Sequence, residues 1–392
     1  MKNNIAIVVV AFNRKASLER LLFSLDNALY DDEVTLIISI DKSDTDIVEK
    51  YADQYTWTHG EKIVDKHNSN LGLRKHMLSL GKWFDSFDAL VILEDDIVVS
   101  KHFLSFTDQC VTKYKDNPSV AGISLYSFAI NYQTGLPFTP LKDQNDVYFM
   151  NCAMSWGEVW MKEQWLLFYE WYKKNQDFSF SNDIPSCLFK WSKNSWLKYH
   201  TRYCIEKNYY FVFPYTSYST NFGDKGVHHS GYGYDIVQVP LQYGKKTLVL
   251  PDIIDDNCIV YDGFFENKSI YKWINTNAEV IVLDLNGSRR SPFNGDYLLS
   301  SKKYDYRIIR SFGLEYQPIE ANVLYHSAGN DLFLYDLREV GCNKNEQDVH
   351  KFFCYYYHIV SVPLFLKRFG FKKLIAEFTK YVFFLIKSKL IK

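Results

Sequence analysis

The chain has 392 residues, enough for one large domain with additions or for two domains, and for a sizeable core. Its 45 Lys and Arg residues stand against 46 Asp and Glu, a formal charge of −1, so no overall imbalance points to nucleic acid as a partner. Seven cysteines with no Cys-x-x-Cys pair indicate neither a disulfide framework nor a zinc site and suit a reducing cytoplasm.

The first apolar run, Ile5 to Phe12, is too short for an export signal. Its continuous β-branched sequence, Ile5 to Ala11, predicts a strand covered on both faces. Leu18, Leu21, Leu22 and Leu25 then fall at helical spacing between Ser17 and Leu29. The same alternation continues with a strand over Val34 to Ile40, a helix over Asp44 to Tyr55, and a short strand at Lys62 to Val64. A helix over Leu73 to Phe84 and a buried strand over Ala89 to Leu93 complete it. Four strands separated by three helices predict a parallel, doubly wound sheet, whose ligands sit at the carboxyl ends of the strands.

Beyond residue 100 a helix over His102 to Tyr114 and a strand over Val120 to Ser124 precede aromatic-rich sequence. Tyr and Trp present flat apolar faces with a polar edge, which suits carbohydrate as well as a core. Trp156, Trp160, Trp165, Trp171, Trp191 and Trp196 are expected to be mostly core. Between 265 and 340 short strands over Val280 to Leu283, Asn322 to Tyr325 and Leu332 to Tyr335 predict a small β-rich appendage. From Pro363 to Lys392 eight basic residues face Glu377 alone. Phe371, Leu374, Ile375, Phe378, Val382, Leu385 and Ile386 make an apolar stripe there, which predicts a basic amphipathic helix on an anionic membrane surface.

Chemistry concentrates at the strand ends. Glu94, Asp95 and Asp96 lie between two runs of buried-strand sequence, where unpaired negative charge is costly, so something positive is expected to meet them. A divalent ion, Mg2+ or Mn2+, answers that need and leaves coordination positions for phosphate oxygens. Ala11, Asn13 and Arg14 follow strand one, and Arg14 can reach a phosphate. Asp41 follows strand two, where a carboxylate can accept from a ribose hydroxyl or a base imide or can cap a helix. Asn70, Arg74 and Lys75 surround the next helix start, a setting that suits phosphate.

Val-Ala-Phe-Asn-Arg in strand one, Ser-Ile-Asp-Lys in strand two, the Asn-x-Gly helix start and Ile-Leu-Glu-Asp-Asp resemble GT-A glycosyltransferases. Bacterial family-2 inverting enzymes and the N-acetylglucosaminyltransferase type I family both carry such a series, and Thr220 to His229 resembles the latter's Phe-Gly-x-x-Gly-Val-x-His segment. The resemblance covers about the first 230 residues. It implies that Arg14 and Asp41 bind the nucleotide, that Glu94, Asp95 and Asp96 hold sugar-nucleotide and metal with Asp96 the direct ligand, and that His229 lies beside the diphosphate. In family-2 enzymes a carboxylate just after a Trp-Gly segment often serves as the base, and Glu158 stands there. In the type I family the base precedes a tryptophan, but Asn194-Ser195-Trp196 has no acid. Asp183, on a neighbouring loop, is the other candidate, and the two stay open.

The resulting expectation is an α/β GT-A fold with a mostly parallel sheet. Residues 1–262 would form the transferase domain, with a nucleotide half (1–100) and an acceptor half (101–262). Residues 263–350 would be a β-rich accessory domain and 351–392 the membrane-associating tail. The expected activity is inverting transfer from a nucleotide sugar, UDP-linked, to a saccharide or lipid-linked oligosaccharide at the inner membrane face. A non-catalytic carbohydrate-binding protein is an alternative; a sugar-nucleotide pyrophosphorylase is disfavoured because the turn Ala11 to Arg14 has no glycine.

Overall fold

Apolar strands run through the middle of a nine-stranded sheet, seen in a computed structural model that describes residues 3–224, 237–252, 258–275, 280–343, 349–357 and scattered positions between 367 and 383. The first series is β1 (Ile5–Ala11), α1 (Lys15–Asp26), β2 (Thr35–Ile40), α2 (Ile47–Gln54), β3 (Lys62–Lys66), α3 (Leu73–Ser79) and β4 (Ala89–Glu94). After it come β5 (Ile97–Val99), α4 (Phe103–Tyr114), β6 (Val120–Ser124), β7 (Val147–Met150), β8 (Glu158–Met161) and α5 (Lys162–Lys174). Next are α6 (Ser186–Lys190), α7 (Leu197–Lys207), β9 (Tyr210–Pro214), β10 (Ser219–Asn221) and β11 (Val260–Tyr261).

The sheet order is β11-β7-β9-β6-β8-β4-β1-β2-β3. The strands β3, β2, β1 and β4 are mutually parallel, as the βαβ alternation requires, while β8 runs antiparallel between β4 and β6. Successive side chains alternate between the two faces: Ile7, Val9, Val91 and Leu93 pack on one, Val8, Val10, Leu90 and Ile92 on the other. Both faces are buried, which explains why these strands read as unbroken apolar runs rather than alternating ones. Trp160, Trp165, Trp171 and Trp196 are buried in the second layer, as core residues.

A four-stranded sheet follows, preceded by α8 (Ile270–Trp273) and made of β12 (Ile281–Asp284), β13 (Tyr297–Ser300), β14 (Tyr306–Phe312) and β15 (Leu332–Val340), in the order β12-β13-β15-β14. It belongs to the same compact unit as the large sheet, spanning Met1–Asn343. The strand expected at Asn322 to Tyr325 is instead a helical turn, α9 (Ala321–Leu324). Asn322 is fully buried, with its Oδ1 accepting from the amides of Glu315 (2.6 Å) and Tyr316 (2.8 Å), so its side chain closes a local turn that a ladder would break. The helix expected over Leu73 to Phe84 likewise tightens after Ser79 into a 3-10 stretch, Leu80–Asp85.

A second unit spans Lys344–Lys392 and contains α10 (Val349–Tyr357). The predicted amphipathic tail lies largely outside the described residues; positions 371, 372, 375, 376, 379, 380 and 383 within it are helical. Among the described residues no helix is long and apolar enough to cross a membrane. All seven cysteines are free thiols.

Candidate active site

Parallel pairing of β1 with β4 sets Val10 opposite Glu94, so the chain leaving β1 passes directly over the chain leaving β4. Arg14 uses that crossing. Its Nε donates to Asp95 Oδ2 (3.3 Å), its Nη2 to Asp95 Oδ1, and its Nη1 to Asp96 Oδ2 (3.1 Å). A planar guanidinium fork can serve two adjacent carboxylates in this way, where a lysine ammonium would act as a single point charge.

The other side of Asp96 is held by sequence 125 residues further on: Asn221 Nδ2 donates to Asp96 Oδ1 at 3.1 Å. This contact exists because β5, which starts just after Asp96, pairs antiparallel with β10 and sets Asn221 opposite Ile97. The Phe222 amide donates to the Asp96 carbonyl (3.0 Å), and Asn221 Oδ1 accepts from the Gly223 amide (2.6 Å). Asp224 then accepts from Ser17 Oγ (2.6 Å) and from Arg20, whose guanidinium lies 4.1 Å from the Phe222 ring centroid. The segment 219–224 is thereby strapped to α1 on one side and to the acid triplet on the other.

Negative charge is in excess at this rim. Burial, and then the charges of Asp96 and Asp95, push Glu94 up to about 8. Burial also pushes Asp95 up to about 6 despite the opposing pull of Arg14. Burial works against the Arg14 charge, but Asp95 and Asp96 outweigh it and raise the guanidinium further. Among the described residues no three His, Cys, Asp or Glu side chains converge to hold a metal ion by themselves. Carboxylates that outnumber their guanidinium do fit a hard divalent cation that takes its other ligands from phosphate and water.

Asp41 is buried, and three backbone amides fill most of its acceptor capacity: Lys42 (2.9 Å) and Leu71 (2.8 Å) on Oδ1, Gly72 (2.9 Å) on Oδ2. It pins the turn before α3, and of roughly four lone-pair sites about one is left for a ligand. Gly72 occupies φ 72°, a left-handed value that favours glycine. Asn70 is exposed and donates to the Lys42 carbonyl (2.8 Å), which ties the same turn to the end of β2. Ala11 is buried and its carbonyl accepts from the Asp41 amide (3.0 Å), while Asn13 and Lys75 are exposed. Arg74 reaches α7, where its Nη1 donates to Tyr199 Oη (3.1 Å). His229 lies outside the described residues.

The two base candidates sit in opposite environments. Glu158 is fully buried, on the same sheet face as Trp160, with Oε1 3.1 Å from His200 Nδ1 but without the alignment of a hydrogen bond. Burial raises Glu158 well above the usual carboxylate range and lowers His200 to about 3, so the imidazole is neutral near pH 7. Asp183 is exposed on the loop before α6, where its Oδ2 accepts from Ser181 Oγ (3.4 Å). Of the residues expected from sequence, Arg14, Asp95 and Asp96 touch one another, and Asp41 shapes the adjoining turn. Asn221, Asp224, Arg20 and Ser17 were not singled out as site residues. Asn221 and Asp224 stand within the Phe-Gly segment already noted, but only the pairing of β5 with β10 brings that segment to Asp96.

No family model matches the sequence, and no curated protein does so either. Solved structures resemble the chain over part of its length. A mannosyltransferase from Pyrobaculum calidifontis, PcManGT in complex with GDP-Man and Mn2+, is 11% identical, with 55% of each chain covered and a TM-score of 0.35. TarS from S. aureus in complex with UDP-GlcNAc is 15% identical, with 60% of this chain and 62% of that one covered and a TM-score of 0.38. GalNAc-T7 with UDP, GalNAc and Mn2+ is 12% identical over 55% of this chain and 43% of that one, at a TM-score of 0.38. The chain thus spans less than two thirds of each of these structures.

Proposed function

We propose that this chain is an inverting glycosyltransferase that moves a sugar from a nucleotide donor, UDP-linked, to a saccharide acceptor. The observation that carries this reading is the fork of Arg14 on Asp95 and Asp96 at the carboxyl rim of the parallel strands, where ligands of such sheets bind. In this reading the last acceptor site of Asp41 takes a hydrogen bond from the nucleoside, and Arg14 lies along the diphosphate. Asp96 holds the metal, with Asn221 keeping its carboxylate turned to the rim. Mn2+ or Mg2+ bound there supplies positive charge to the departing diphosphate. Proton removal from the acceptor hydroxyl needs a carboxylate that the acceptor can reach. Asp183 has that access; Glu158, fully enclosed, has not. We therefore assign the base to Asp183.

A lipid-linked acceptor at the inner membrane face accords with the basic tail, in which Phe371, Ile375 and Phe383 are exposed at helical spacing. Removing residues 363–392 is expected to release the protein from membranes in a flotation assay, and continued co-flotation would refute the tail's role.

The central test is thermal unfolding with a panel of nucleotide sugars, with and without Mn2+. A ligand that binds only the folded form at about 100 times its Kd adds about 2.7 kcal/mol, a readily measured rise in Tm. A metal-dependent rise with one donor, lost in Asp96→Asn, is the expected result. No rise with any donor would leave a carbohydrate-binding protein without transfer chemistry as the better reading.

A further inference from the structure

Lys198 is a cation without a counter-ion, its stem buried and its ammonium reaching solvent. Only 5% of the residue is exposed, yet among the described residues its ammonium forms no ion pair and no hydrogen bond. It faces ring systems instead, 5.0 Å from the centroid of Phe178 and 5.4 Å from that of Tyr199. A lysine stem packed among aromatic rings holds its ammonium in place at the surface, partly withdrawn from water, where an anion can reach it.

A second cation stands beside it. Arg74, at the start of α3, donates to Tyr199 Oη at 3.1 Å, and its guanidinium carbon lies 5.5 Å from the same ring centroid. Arg74 has no carboxylate partner among the described residues. Tyr199 Oη in turn donates to the Gln176 carbonyl (3.1 Å), which fixes the ring that both cations approach. Burial, and then the repulsion of Arg74 and Lys193, lowers the basicity of Lys198. Arg202, the next cation along α7, differs in having its own acid, Glu206, at 2.6 Å. Like charges held together in a partly desolvated, aromatic-walled place destabilise the fold, and a bound anion removes the penalty.

We propose that Arg74 and Lys198, with Tyr199 and Phe178 as walls, form a subsite for an anionic group of the acceptor, a sugar carboxylate or a phosphate. Placing it on the acceptor rests on the glycosyltransferase reading. The anion site itself does not. Arg74 donates to Tyr199 on α7, whereas Arg14 is the cation that touches the triplet. In the proposal this subsite therefore serves the acceptor, and Arg14 the donor diphosphate.

The test is thermal unfolding of the full chain with inorganic phosphate, glucuronate, neutral glucose and, in a separate arm, UDP with Mn2+, at constant ionic strength, for wild type, Lys198→Met and Arg74→Met. One or both anions are expected to raise the wild-type Tm while glucose does not, and the stronger of the two identifies the group. Lys198→Met is expected to melt higher than wild type without ligand, by about 2 °C, because an unpaired charge is removed with its stem kept. It should bind the anion roughly tenfold more weakly, and Arg74→Met should weaken binding similarly. No anion effect in wild type, or a Lys198→Met protein that melts lower with unchanged anion binding, would overturn the subsite. Loss of the UDP–Mn2+ response in both variants would reassign these cations to the donor and overturn the acceptor placement. An anion response without any donor response would sink the transferase reading and leave the subsite standing.

Discussion

Arg14 stands between two carboxylates that would otherwise repel one another at close range. With 23% of its side chain exposed and only 6% of that of Asp95, the pair is mostly withdrawn from water, so removing the guanidinium leaves negative charge poorly solvated. Arg14→Met is expected to lower unfolding stability by about 2 kcal/mol, read from urea midpoints at constant slope. The double variant with Asp95→Asn should recover part of that loss, because the carboxylate left unpaired is then gone. Equal stability of the two variants would mean that the ion pair contributes nothing beyond solvation. This single contact joins the two sequence features that were legible from the start, the arginine after strand one and the acids after strand four. Their meeting follows from parallel register, which periodicity implies.

At the scale of elements, β10 is three residues long and decides where Asp96 points. It is anchored from beneath by Gly157, which adopts φ 93° and lies so close to Ser219 that an added Cβ would sit 2.8 Å from Ser219 Oγ and 3.0 Å from Leu125 Cβ. Ser219 Oγ also donates to the Trp156 carbonyl at 2.5 Å. Gly157→Ala combines an unfavourable backbone conformation with displacement of β10, and is expected to cost about 2 kcal/mol in denaturant unfolding. Under the proposed function, donor affinity measured by calorimetry should fall along with it. Unchanged affinity in a destabilised variant would separate β10 from the site. The long central strands were readable because runs such as the seven apolar residues of β1 leave few alternatives. Strands of two to four residues, such as β10 and β11, carry no such signal, and Asn322 read as part of a strand because its turn-closing role depends on partners at 315 and 316.

Across the whole molecule, the segment bearing the four-stranded sheet is joined to the large one by buried polar contacts. Tyr261, at the edge strand β11, donates its hydroxyl to Glu320 at the start of α9, and both are buried. Burial pushes Glu320 up to about 7, against about 4.3 in an unfolded chain. A raised carboxylate favours the folded state while protonated, so this contribution is full below about pH 4 and is lost as pH rises through about 7. The loss is on the order of 3 kcal/mol. Glu320→Gln keeps an acceptor for Tyr261 and cannot ionise, so its Tm is expected to exceed that of wild type at pH 8 and to match it near pH 4. Parallel Tm curves for the two proteins would show that Glu320 does not titrate in this range. Nothing in the sequence distinguishes Glu320 from any surface glutamate, since its burial is a product of the tertiary arrangement.

The hydrogen bond from Asn221 to Asp96 also bears on the order of events during synthesis. A growing polypeptide can close β1, β2, β3 and β4 soon after they leave the ribosome, but the acidic corner stays unlatched until another 125 residues have followed. If the proposed reading holds, nascent chains arrested ahead of β10 should therefore acquire a protease-resistant amino-terminal core well before they acquire any capacity to retain nucleotide.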